Sequence, residues 1–78
     1  MARFYFDFHD ANGILRDEAG EELPSTIVAK KEALKAASHT LKDLAHRDLE
    51  GSVVIEVRDG DGPLLRVSAF VETAILKG

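Results

Sequence analysis

STIVAKKEALKAASHTLKDLAHR, residues 25–47, decides how this chain folds. Wound at about 100° per residue, it gathers Leu34, Ala37, Leu41 and Leu44 on one side, extended by Ile27, Ala33 and Ala45. Lys31, Lys35, Ser38, His39, Lys42 and His46 gather on the other side. That pattern predicts an amphipathic helix lying across an apolar surface, with alanines small enough to allow close approach. Ser25 or Thr26 supplies a capping oxygen for the unpaired N–H groups of the first turn, and Pro24 discourages an earlier start. The helix is expected to fade near Asp48, with Gly51 marking the exit.

Each flank of the helix reads as a hairpin. Phe4, Phe6 and Phe8 alternate with Tyr5, Asp7 and His9, a strand with one apolar and one mixed face. Asp10-Ala11-Asn12-Gly13 then signals a tight turn, with Asn12-Gly13 tolerating positive φ, and Ile14 to Asp17 returns as a second strand. Glu18 to Pro24 reads as a connecting loop whose carboxylates favour the positive end of the helix dipole. Beyond the helix, Ser52–Arg58 forms the third strand, with Val53, Ile55 and Val57 pointing inward. Asp59-Gly60-Asp61-Gly62-Pro63 is the turn, and Leu64–Phe70 the fourth strand. The apolar Ala74-Ile75-Leu76 implies that the segment from Val71 onward docks, as a short helix, a strand or part of an oligomer contact. The predicted fold is α+β: one small domain over residues 1–78, ββαββ, a mainly antiparallel four-stranded sheet with one helix packed on one face. The phenylalanine-rich first strand is central, giving the order 2-1-3-4, with 2-1-4-3 as the alternative.

Charge is segregated along the chain. Residues 1–24 hold six acidic and two basic side chains, residues 25–47 five basic and two acidic, and residues 48–78 six acidic and three basic. The net charge of −4 argues against a protein that binds phosphate backbones non-specifically, while leaving a local basic contact open. The absence of cysteine excludes disulfides, thiolate metal sites and thiol nucleophiles. No stretch approaches the roughly 18–20 apolar residues of a membrane span, and no apolar leader core follows Met1-Ala2-Arg3. The expected location is the cytoplasm.

Several of these features also belong to a known pattern. The aromatic strand Phe4-Tyr5-Phe6-Asp7-Phe8, the series Asp10, Gly13, Asp17, Gly20, Glu22-Leu23-Pro24, the helix residues Ala29 and Glu32-Ala33-Leu34, and the closing Val57, Asp59, Gly62, Leu65, Val67 and Phe70 carry it. Together they resemble a family of short alphaproteobacterial proteins, common in rhizobia, that is described only as a domain of unknown function. The resemblance runs over nearly the whole chain and implies a compact ββαββ fold. Its motifs are turns, a cap and core positions, so it implies no catalytic or ligand residues.

Each candidate constellation has a plainer explanation. His39, Asp43 and His46 share a helix surface, but metal-binding histidine pairs on one helix sit at i and i+4, and these two lie about 10 Å apart along the axis. Solvated side chains with a weak His39–Asp43 pair account for them. His9, beside Tyr5 and Asp7, reads as a strand-end polar residue. Asp59-Gly60-Asp61-Gly62 lacks the further ligands and closing glutamate of a calcium loop and reads as a turn. No catalytic residue, cofactor or metal site is expected.

Two surfaces remain as interaction candidates. One is the basic helix face, with Lys31, Lys35, His39, Lys42 and His46 as its contact residues. The other is the uncovered sheet face, with Tyr5, Val54, Leu64 and Phe70 among Asp7, Glu56, Arg58 and Arg66, together with the edge strands. Either the face or an edge could pair two copies in a homodimer. The expected function is a small non-enzymatic interaction or regulatory module that binds a protein partner, an acidic one above all, through the helix. The alternatives are a nucleic-acid-associated regulator and, third, a small enzyme or ligand binder.

Overall fold

A computed structural model describes all 78 residues, Met1–Gly78. The order of elements is β1 (Ala2–Asp10), β2 (Gly13–Leu15), β3 (Glu21–Leu23), α1 (Thr26–His46), β4 (Gly51–Asp59) and β5 (Gly62–Val71). All strands are antiparallel in one sheet of order β2-β1-β4-β5, with β3 pairing β1 on the same side as β2. Numbered as the four expected strands, this is the order 2-1-3-4. The fifth strand, β3, falls inside the expected connecting loop. There Glu22 lies opposite Arg3 and pairs with it at 3.4 Å, so this carboxylate of the expected loop serves a strand, and the first turn of the helix holds no acidic residue.

The two hairpins share one construction. In each an aspartate carboxylate accepts the N–H two residues on, Asn12 to Asp10 and Asp61 to Asp59, both at 2.8 Å. Each turn closes on a glycine of positive φ, Gly13 at 123° and Gly62 at 129°. Asn12 itself does not take positive φ, so the Asn12-Gly13 pair acts one residue later than the turn geometry expected of it.

Ser25 caps α1, its hydroxyl accepting from the Val28 N–H at 3.3 Å. At the other end Asp48 takes the left-handed conformation, φ 53°, while its N–H bonds to the Ala45 carbonyl and that of Leu49 to the Leu44 carbonyl. This is a Schellman stop built on aspartate instead of glycine.

The core forms where α1 crosses β4 and its neighbours. Val53, Ile55 and Val57 are fully buried, with Phe4 and Leu23 beside them, under Ala29, Ala33 and Ala37 of the helix. The alanine stripe, not the leucines, meets the sheet. Leu34 and Ile27 stay exposed and Leu41 and Leu44 are half-buried, so the helix is rotated by roughly 60° from the expected apolar face. β-Branched side chains and phenylalanine already fill the sheet surface, and only a residue as small as alanine lets the helix axis come close. Residues 72–78 form no regular element, and Ile75 and Leu76 are 86% and 92% exposed. Within the chain, therefore, the expected docking of this segment does not occur.

Candidate functional site

The helix face opposite the alanine stripe carries the five residues singled out from sequence. Lys31, Lys35, His39, Lys42 and His46 are all exposed there, and Ser38 lies among them. Leu34, Lys35, Ser38, His39 and Lys42 line a shallow concavity of about 320 Å³, an apolar spot inside a cationic rim. Lys35 has one acidic neighbour, Glu32 at 3.5 Å. Lys31, Lys42, His39 and His46 form no ion pair within the chain, and Asp43 turns to Arg47 at 3.4 Å rather than to His39. The expected His39–Asp43 pair is thus replaced by an i,i+4 pair with the longer, permanently charged side chain. No helix in the chain is long and apolar enough to cross a membrane.

On the other side of the sheet Asp7, Asp17 and Arg58 are tied into one hydrogen-bonded network, an arrangement that local sequence pattern does not reveal. Asp7 points away from the helix yet is only 4% exposed, because the Arg16–Gly20 segment folds over it. Its Oδ2 accepts from Arg58 Nε at 2.8 Å and its Oδ1 from the Asp17 N–H at 2.9 Å. Arg58 Nη2 also donates to the Asp17 carbonyl at 2.7 Å, and the guanidinium lies 4.4 Å from the centre of the Tyr5 ring. The Asp17 carboxylate accepts three backbone N–H groups, those of Phe6, Ala19 and Gly20, at 3.1, 3.1 and 3.0 Å.

The Phe6 bond explains the segment. β2 pairs β1 at Phe8–Asp10 and β3 pairs it at Ala2–Phe4, with a two-residue offset between the registers. In the gap the Asp17 side chain takes the place of a neighbouring strand. Gly20 is required for this closure: its φ is 72°, and a Cβ there would lie 2.8 Å from Tyr5 Cε2 and 2.9 Å from Arg3 Cγ.

Burial pushes the Asp7 carboxyl up, but the Arg58 and Asp17 hydrogen bonds outweigh it and hold the group below its ordinary 3.8. The Gly20, Phe6 and Ala19 N–H bonds lower Asp17 against its own desolvation and the neighbouring Asp7 charge. The bond to Asp7 raises Arg58. No buried side-chain polar atom lacks a partner. This network is a structural latch that ties the Arg16–Gly20 segment to β1 and β4.

Of the expected open-face residues, Asp7 and Arg58 belong to the latch, and Arg66 pairs with Glu56 at 3.3 Å. Phe70 and Leu64 remain exposed, and His9 is half-buried between Val54 and Ile14. The largest concavity, about 690 Å³, lies at the β1–β2 edge between Phe6, Phe8 and Leu15 and the Arg16–Ala19 segment. Glu18 borders it, and Asp17, its other acid, is held by the latch.

Fold and surface together define a small antiparallel α+β protein with a basic helix face on which only Lys35 has an ion-pair partner. The chain belongs to the family described as a domain of unknown function (DUF6894), whose match spans residues 3–71. That span holds the latch and all five basic-face residues. No curated protein and no solved structure matches the chain.

Proposed function

We propose that the protein is a non-enzymatic interaction module whose basic helix face docks an acidic segment of another protein. One observation carries this reading. Four of the five cationic or titratable side chains on that face have no intramolecular partner, whereas the charges of the latch are all used. Charges left free on a chain of opposite net sign concentrate an oppositely charged partner at that surface. Leu34 inside the cationic rim suits a segment in which an apolar residue is flanked by aspartate or glutamate. The alphaproteobacterial source and the cytoplasmic location read from the sequence go with this proposal.

The test is an NMR titration with a synthetic peptide of alternating glutamate and leucine, and with single-stranded and duplex DNA in parallel. Shifts confined to residues 31–46 on adding the peptide, weakened by salt and lost in K31E/K35E/K42E, support the reading. A response to DNA at low salt in place of the peptide transfers the face to nucleic acid. Silence towards both removes it.

A further inference from the structure

The outer edges of the sheet differ in a way that points to a second copy of this chain. One edge consists of β2 and β3, three residues each, separated by the Arg16–Gly20 bulge. The other is β5, ten residues whose outer backbone groups face no strand. A long unpaired edge is a template for strand addition, and proteins normally blunt it. Here the blunting is confined to the start of the strand, where Pro63 sits and the register against β4 shifts between Val57 and Arg58. From Leu65 to Val71 the ladder is regular.

The segment after β5 continues this edge. The molecule is 54 Å long but only 22 by 17 Å across. A ten-residue strand spans about 33 Å, and so does the helix, leaving an excess of about 20 Å that seven residues running on from β5 would cover. The Thr73 N–H bonds to Glu50 Oε1 at 3.1 Å, which fixes its root beside the start of β4. The usable edge thus runs from Leu65 to about Ile75, and its midpoint is Phe70.

The apolar surfaces match across that midpoint. Glu32 and Ala36 of α1 face Phe6 and Phe8 of β1, so the opposite flank of the helix, with Ile27 and Leu34, overhangs the β5 side. Leu44 lies against Gly51 at the C-terminal end of α1, which puts Ile27 and Leu34 over the first half of β5. In an antiparallel pair of β5 strands, residues 72–76 of each copy run along that first half of the other. Strand alternation then places Ile75 on the helix side, beneath the partner's Ile27 and Leu34 flank.

We propose that two copies pair antiparallel through β5 and residues 72–76, with the twofold axis near Phe70, and that Ile75 docks on the partner's helix flank. The resulting sheet is continuous, and both basic helix faces stay open on the same side of it. The proposal is independent of what those faces bind. Residues 72–76 lie beyond the family match, which closes at residue 71.

Sedimentation equilibrium tests it, with twice the 8.5 kDa chain mass as the expected result. The I75E/L76E variant alters only exposed side chains; it is expected to be monomeric with an unchanged circular dichroism spectrum. Because the chain has no cysteine, S68C mixed with E72C, opposite each other in this register, is expected to give a mixed disulfide on air oxidation. A monomer at every concentration, a dimer indifferent to I75E/L76E, or no mixed disulfide from a wild-type dimer overturns the proposal.

Discussion

The two edges of this sheet solve one physical problem in opposite ways. Along β1 the gap between β2 and β3 would leave the Phe6 N–H open, and the Asp17 carboxylate closes it. Along β5 the same kind of backbone group is left free over seven regular residues, and an apolar segment projects beyond it. A polar side chain can stand in for a strand only where other groups hold it, and Asp7, Arg58 and Gly20 do that on one edge alone. The closed edge is therefore a stability element, and the open edge an association element.

Breaking the closed edge should be costly. Asp17→Ala removes the acceptor of three backbone N–H groups and is expected to destabilise the fold by about 2–3 kcal/mol in urea unfolding, given the cost of losing bonds to a charged group. Gly20→Ala brings a methyl group into Tyr5 and Arg3 at positive φ and should cost about 2 kcal/mol by the same measurement. Acid should open this edge selectively. Asp7 and Asp17 are both held below 3.8 in the fold, so their contribution is fully present above that pH and is lost as pH falls through the lowered values. Wild type should therefore lose more stability between pH 5 and pH 2, as those groups titrate, than the D7N/D17N variant does. At the open edge the expected effect is smallest. Phe70 is 71% exposed, so Phe70→Lys should change unfolding stability by no more than about 0.5 kcal/mol while weakening self-association.

Much of this architecture is legible from local pattern. The phenylalanine alternation of β1, the Asp-x-x-Gly turns, the Ser25 cap and the inward Val53, Ile55 and Val57 follow from spacing alone, whereas the pairing of β1 with β4 rather than β5 decides between two strand orders that the sequence leaves open. The basic face is legible for the same reason, since helical period places Lys31, Lys35, His39, Lys42 and His46 together whatever the helix packs on. What it packs on is less so. Hydrophobicity favours Leu34 and Leu41 as the contact, but the filled sheet surface selects for size and takes Ala29, Ala33 and Ala37. The latch is the least legible part, because Asp17 bonds to Phe6 and Arg58 to Asp7 across 11 and 51 residues. The aspartate of Asp17-Glu18-Ala19-Gly20 caps its own turn, and that spacing was the available signal. It does not reveal that the same carboxylate also completes a sheet edge.

Amide hydrogen exchange read residue by residue tests the contrast between the edges most directly. The Phe6 N–H should exchange slowly at every protein concentration and become fast in D17A. The β5 amides that do not bond to β4 should slow as concentration rises and stay fast in I75E/L76E. A Phe6 amide that exchanges as an open strand does in the wild type, or β5 amides equally fast at all concentrations, would contradict the account.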